Sequence, residues 1–196
     1  MATPTSATSP PPATGSRPGG RSARVRAAVH RAVEALVADE AAEPLTIPAV
    51  ATRAGVHATT VYRRWGSVGE LLADVTTSRF AGDFVVPDTG GLRGDLERFA
   101  AALAKDLADP DTLALIRVTL GTGGEQGAAA CSADRQQQLA AILERDRARG
   151  GRPPGVEHTS DAVIAPLYYR ALFTGLPLTE EWAHGLVARL LADVTD

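Results

Sequence analysis

The sequence has few cysteines, few aromatic residues and no long apolar run. Cys131 is the only cysteine, which excludes an internal disulfide framework and a multi-cysteine metal site and indicates a reducing cytoplasm. Aromatic residues make up 5% of the chain, and this shortage favours helices over strands. No apolar run approaches the roughly 18 residues that a membrane helix needs, and the first residues contain no apolar block typical of a secretory signal.

Residue patterns for catalysis and metal binding are also missing. Cys131 has no histidine close to it in sequence, so we interpret it as structural and not as a nucleophile. The four histidines lack the HExxH spacing of a zinc site. The glycine-rich stretch 121–127 is not a dinucleotide-binding GxGxxG loop, because Gln126 takes the place of its last glycine. We therefore predict no enzyme activity, no metal and no cofactor.

Charge is distributed unevenly along the chain. Residues 1–79 contain nine basic and six acidic residues, whereas residues 80–196 contain eleven basic and seventeen acidic ones. A basic first part and an acidic second part indicate that the first part binds an anion, although many such asymmetries are only solvated surface.

Apolar residues at helical spacing predict an all-α fold of nine helices. The predicted helices lie near 21–38, 47–54, 58–64, 67–80, 92–107, 110–120, 129–149, 159–174 and 179–194. The stretch 121–127 is predicted to be a loop, and Pro166 is predicted to kink its helix. We divide the chain into a disordered tail (1–20), a helix-turn-helix region (21–66) and a larger helical region (67–196).

The segment 45–75 has the outline of a helix-turn-helix motif. Thr46 is a typical N-cap for the first of the two short helices in this motif. The unpaired backbone N–H groups at the start of that helix can hold a phosphate oxygen. Gly55 provides the tight turn, because it has no Cβ to strain a left-handed backbone. The second short helix carries residue types that contact DNA bases and phosphates. The candidate DNA-binding residues are Arg17, Arg21, Thr46, His57, Ala58, Thr59, Thr60, Tyr62, Arg63 and Arg64. We interpret Trp65 as a core residue.

This segment resembles the DNA-binding domain of the TetR family of bacterial transcriptional regulators. The resemblance lies in Ala54-Gly55-Val56, Thr60-Val61-Tyr62, Trp65 and Leu71-Leu72, and it covers about 60 residues specifically. Residues 165–179 also resemble a C-terminal type found in actinobacterial members. Two positions depart from the family pattern: His57 stands where many members have a capping Ser, and Val68 stands where many have a Lys that contacts phosphate.

The resemblance implies a homodimer that binds a palindromic DNA operator and leaves it when a small molecule binds. It also implies that the last two helices pack against their twins as a four-helix bundle. The candidate interface residues are Val163, Leu167, Leu172, Leu186, Val187, Leu190 and Leu191, which offer more apolar surface than one chain should bury. Candidate ligand-binding residues are Phe99, Leu103, Ile116, Leu139, Tyr168, Tyr169 and Phe173, although a hydrophobic core would use the same residue types.

Two alternatives stay open at this point. The chain could be a regulator that works without a ligand, as an activator or a fixed repressor. It could also be a helical enzyme or binding module that carries a helix-turn-helix-like head, against which stands the missing catalytic pattern.

Overall fold

The computed structural model describes residues 19–39, 45–81 and 85–193, and this part of the chain contains helices and no strand. Its α-helices are α1 (Gly19–Ala38), α2 (Ile47–Ala54), α3 (Ala58–Arg64), α4 (Val68–Ala81), α5 (Leu92–Ala108), α6 (Pro110–Ala148), α7 (Val156–Thr159), α8 (Ala165–Tyr169) and α9 (Glu180–Asp193). The predicted all-helical fold is therefore confirmed. The predicted disordered tail up to residue 18, with Arg17, lies outside the described residues, as does the side chain of Cys131. None of the described helices is long and apolar enough to cross a membrane.

Polar N-caps set the starts of three helices, as their sequences predict. Thr46, Asp109 and Thr179 each accept a hydrogen bond from the backbone N–H three residues later, at 3.3, 3.1 and 3.2 Å. These bonds satisfy N–H groups that have no partner within the first turn of a helix.

The glycine-rich stretch 121–127 differs from its prediction as a loop. Its backbone is helical, so α6 covers 39 residues and replaces the two helices expected on either side of that loop. In a straight helix, residues 119 and 127 would lie about 12 Å apart along the axis. However, a Cβ atom added to Gly127 would lie 2.3 Å from the carbonyl oxygen of Thr119. Arg135, far along α6, also pairs at 2.6 Å with Asp106, which precedes the helix. The second half of α6 therefore folds back towards α5.

We expect Gly127→Ala to destabilise the protein by about 1–3 kcal/mol, because the added methyl group overlaps a backbone carbonyl that cannot move aside like a side chain. Urea unfolding followed by circular dichroism measures this free energy. Gly121→Ala is the matched control, since a Cβ at Gly121 meets nothing within 4 Å. It should be neutral or stabilising, by up to about 1 kcal/mol. Equal effects of the two substitutions would contradict the fold-back of α6.

The segment 156–174 is helical throughout, but its winding changes twice. π-Helical turns at Ser160–Ile164 and Arg170–Thr174 flank α8. In the first of them the N–H of Ala165 donates to the carbonyl of Ser160, five residues earlier. Pro166 follows directly, so the departure from regular α-helix lies beside the proline that was predicted to disturb it.

Buried apolar side chains form two clusters. The first cluster contains residues of the four helices α1, α2, α3 and α4, and also Leu115 of α6. The second joins α5, α6, the segment 156–174 and α9. Helix α4, which the sequence analysis placed in the larger region, contributes Leu71, Leu72 and Val75 to the first cluster. Its Thr76 also shares a buried hydrogen bond of 2.9 Å with Thr119 of α6. Helix α4 is therefore part of the first cluster and is also joined to α6, which contributes residues to the second cluster.

Candidate nucleic-acid interface

Helices α2 and α3 form the predicted helix-turn-helix. Gly55 ends α2 with φ 66° and ψ 33°, in the left-handed region that favours glycine. The N–H of Val56 donates to the carbonyl of Ala51 at 3.0 Å and closes the turn. Val50 of α2 and Val61 of α3 are fully buried in the first cluster. Burial of Val61 fixes which face of α3 points outward.

The outward face of α3 carries the polar and basic residues predicted to contact DNA. Thr59, Tyr62 and Arg63 are exposed, and the Tyr62 side chain is 51% exposed despite its aromatic ring. Ala58 and Thr60 are half-buried. Tyrosine, threonine and arginine on one exposed helix face are residue types that contact DNA phosphates and base edges.

An open groove of about 750 Å³ separates the start of α1 from α3. It brings together five of the predicted residues, namely Arg21, His57, Thr60, Arg63 and Arg64. Among the described residues that line it, none is acidic, so the groove has a positive potential suited to a phosphate backbone. Ser22, Val25 and Val56 also line it, and nothing in their sequence pattern had indicated this.

Arg64 is held within this groove by α1. Its Nη1 donates to Ser22 Oγ at 2.8 Å, and its guanidinium carbon lies 5.2 Å from the centre of the Trp65 ring. These contacts aim the guanidinium at the start of α1 and away from the exposed face that Tyr62 and Arg63 share. The Arg64 guanidinium therefore lies beside α1, whereas the Arg63 side chain is exposed on the outward face of α3.

The N-terminal ends of the two short helices differ. Thr46 caps α2 with its side chain, whereas the His57 side chain makes no capping hydrogen bond to α3. The His57 imidazole is exposed, so it is available to a phosphate.

Asp74 links α4 to α1 and to the end of α3. These contacts were not predicted from the sequence. The Asp74 carboxylate accepts hydrogen bonds from Arg26 at 2.6 Å, from His30 at 2.9 Å and from the indole N–H of Trp65 at 2.9 Å. Burial alone would raise the pKa of Asp74, but the hydrogen bonds from these three partners outweigh burial and hold that pKa below its usual value. The spacing of Arg26 and His30, one helical turn apart, is the feature of the sequence that could have indicated a shared acidic partner.

Because the pKa of Asp74 is lower in the folded state, its charged form stabilises the fold above the ordinary aspartate pKa near 3.8. This contribution disappears as the pH falls through the lowered pKa. We expect Asp74→Asn to cost about 1–3 kcal/mol at pH 7 and to flatten the loss of stability as the pH falls below the ordinary aspartate pKa near 3.8. Urea unfolding followed by tryptophan fluorescence, at pH 7 and in steps down to about pH 2, measures both effects. An unchanged pH slope would show that Asp74 is not preferentially charged in the fold.

The predicted ligand-binding residues do not form one site. Phe99, Leu103, Ile116 and Leu139 are buried in the second cluster, where they pack as core. Tyr169 and Phe173 lie on the outside with 63% and 74% exposure, because segment 156–174 turns this face away from the cluster. Tyr168 is half-buried and lines a groove between α6 and the segment 156–174.

The predicted interface residues also differ in position from the expectation. Five of them, namely Val163, Leu167, Leu186, Val187 and Leu190, are buried within the single chain. Leu172 and Leu191 are half-buried against the same cluster. The argument that one chain leaves these side chains uncovered is therefore wrong for the five, because the other residues of the second cluster already cover them. The apolar side chains that remain uncovered in this region are Tyr169, Phe173 and Leu176.

Comparison with known families gives one match in the second half of the chain. Residues 86–190 match the family described as "Tetracyclin repressor-like, C-terminal domain". This range begins in the described residues before α5 and reaches into α9.

Curated and solved relatives agree with this match. The chain is 37% identical over 110 residues to the HTH-type transcriptional regulator AqdR of Rhodococcus erythropolis, a stretch that is 56% of this chain and 53% of that regulator. The chain thus spans about half the length of that relative. A crystal structure of a TetR family transcription regulator is 29% identical with a TM-score of 0.68, over 86% of this chain and 97% of that one. FadR of Thermus thermophilus, a TetR family repressor solved with lauroyl-CoA, shares the fold at 19% identity and a TM-score of 0.59, over 85% of this chain and 93% of its own.

Proposed function

The chain belongs to the TetR family of transcriptional regulators, and we propose that it is a homodimeric repressor that binds a palindromic DNA operator and leaves it when a small molecule binds. The cytoplasm, where the chromosome of a bacterium lies, is its proposed location.

The observation that carries this proposal is the face of α3. Val61 anchors the helix in the first cluster, so Thr59, Tyr62 and Arg63 project into solvent together. Arginine can bind a guanine edge with two hydrogen bonds, threonine can contact a thymine methyl group, and tyrosine can bind a phosphate. The adjoining groove adds Arg21 and Arg64 as backbone contacts that would fix the orientation of α3 on the duplex.

A second copy of the chain fits the uncovered face of the segment 156–174. Tyr169 and Phe173 are exposed one helical turn apart, and their rings lie 5.5 Å from each other. On α9, Gly185, Ala188 and Ala192 follow at similar spacing with little side-chain bulk. Large side chains on one helix and small ones on its neighbour are complementary when two such faces meet around a two-fold axis. We therefore assign Tyr169 and Phe173 to the dimer interface, in place of the leucines buried in the core.

Helix α4 is the proposed connection between ligand and DNA. Asp74 holds α4 to α1 and to the end of α3, whereas Thr76 holds it to α6 through Thr119. Arg79, near the end of α4, approaches Glu34 of α1 at 3.6 Å and Asp109 at the start of α6 at 3.3 Å. A ligand that binds better when α6 is displaced would shift α4 and change the separation of the two α3 helices. Binding of lauroyl-CoA by the FadR relative shows that this fold accommodates a ligand.

Selection from random duplex DNA tests the proposed function. The purified full chain should enrich a palindrome whose half-sites are about one helical turn, or 34 Å, apart. Fluorescence anisotropy should show two chains per duplex and an affinity that falls steeply as salt rises. An enzyme that merely carries a similar head would enrich no sequence. Recovery of a single, asymmetric site bound by one chain would contradict the homodimer.

A further inference from the structure

A small groove lies where the second half of α6 meets the first π-helical turn of the segment 156–174. Its volume is about 290 Å³, at the lower end of the range of about 300–1,000 Å³ for small-molecule pockets. Leu120, Ile164, Ala165 and Tyr168 supply an apolar surface. The fold-back of α6 creates this place, because it brings Leu120 close to residues that follow the bend.

Polar groups on the π-helical side of the groove lack partners. Ser160 Oγ is buried and makes no hydrogen bond to the described residues. The carbonyl of Asp161 would ordinarily accept from the N–H of Ala165, but that N–H donates to the Ser160 carbonyl. The next residue, Pro166, has no N–H to replace it. A ligand with hydrogen-bond donors would satisfy groups that the helix leaves unpaired.

The charge of the groove favours cationic ligands over anionic ones. Asp161 is the only charged residue among the described residues that line it, and Ser132 and Gln136 are the remaining polar ones. An anionic ligand would meet the Asp161 carboxylate and no basic partner, so repulsion opposes its binding. An ammonium group would donate a charge-assisted hydrogen bond to the Asp161 carboxylate and could contact the face of the Tyr168 ring.

We propose that this groove binds a small, largely apolar amine, whose ammonium group contacts Asp161 and whose apolar body lies against Leu120, Ile164 and Tyr168. The inference rests on the proposed function, since it names the chemical class of the molecule that releases the operator. Lauroyl-CoA, the ligand of the FadR relative, carries negative charge on its coenzyme A phosphates and does not fit this charge pattern.

Three probes with one apolar body and different head groups test the proposal: 4-phenylbutylamine, 4-phenylbutanol and 4-phenylbutyrate. Isothermal titration calorimetry on the full chain should show the amine binding about tenfold more tightly than the carboxylate, with the alcohol between them. Asp161→Asn should abolish the preference for the amine and leave the affinity for the alcohol unchanged. Glu157→Gln is the matched control, because it removes an exposed carboxylate from the same helical segment outside the groove.

Ser132→Phe provides a second, independent variant. Ser132 is exposed on α6, so a large side chain there fills the groove without disturbing the core. It should abolish binding of all three probes. Equal or tighter binding of the carboxylate, absence of binding by every probe, or an amine preference that survives Asp161→Asn would overturn the proposal.

Anisotropy with the selected duplex separates this inference from the proposed function. Operator binding that is intact while no probe binds would refute the amine site alone. Amine binding without any sequence-specific DNA binding would refute the proposed regulator and leave the site. Release of the duplex by the amine, weakened by Asp161→Asn, would support both.

Discussion

Arg63→Ala is expected to weaken binding of the selected palindrome by roughly 30-fold to 10⁴-fold. Each bidentate contact of an arginine with a base contributes about 1–3 kcal/mol, and a homodimer loses one contact in each half-site. The loss should be confined to specific DNA, with relaxed preference at one position of each half-site. Anisotropy titrations against the palindrome and against duplexes with each base at that position measure the affinity and the preference.

Arg93→Ala is the matched control for Arg63→Ala. Arg93 is an exposed arginine on α5, away from the groove that α1 and α3 form, and its contact with Glu97 at 3.6 Å is weak. Its replacement removes the same formal charge and should leave affinity nearly unchanged. If Arg63→Ala weakened binding to all sequences equally, and lowered the salt dependence, Arg63 would contact phosphate only.

Phe173→Glu is expected to separate the dimer and to lower operator affinity by at least about 100-fold, because one chain then binds each half-site without the effective concentration that its partner provides. Phe173 is 74% exposed in the single chain, so the charge costs the folded monomer little. In a dimer, the same charge would be buried against a partner's apolar surface without a counter-ion. Sedimentation velocity measures the oligomeric state, and anisotropy measures the affinity.

Val85→Glu is the matched control for the dimer. Val85 is 82% exposed and lies in the chain between α4 and α5, outside the face that carries Tyr169 and Phe173. Its variant should remain dimeric and bind the operator as the parent does. A Phe173→Glu protein that stays dimeric at micromolar concentration would place the interface on another face of the molecule.

The substitutions at Arg63 and Phe173 should act independently, because the two residues belong to helices that pack into different clusters. Arg63 is an exposed residue of α3, which packs into the first cluster, and Phe173 is an exposed residue of the segment 156–174, which packs into the second. A change at one should therefore leave the packing around the other unaffected. Asp74→Asn is the exception, because Asp74 holds α4 to both α1 and the end of α3. It should therefore change stability and DNA affinity together.

Most helices and the DNA-binding motif could be predicted from the sequence, because they depend on interactions between residues that are close along the chain. Caps at Thr46, Asp109 and Thr179, and the turn at Gly55, depend on side chains a few residues apart, so their patterns are visible along the chain. Trp65 was also predicted as core, and it is 4% exposed. Periodicity fixed which face of a helix is apolar, although not what covers that face.

Tertiary structure alone decided what covers each face. Val163 and Phe173 are both apolar residues of one helical segment, but the packing of the second cluster buries Val163 and leaves Phe173 in solvent. The fold-back of α6 at Gly127 depends on a close approach to Thr119, eight residues away, that no capping pattern records. The groove beside Asp161 and the three hydrogen bonds to Asp74 likewise depend on contacts between segments that are distant in sequence. Spacing in a sequence describes neighbours along one helix, whereas these sites depend on the packing of several helices together.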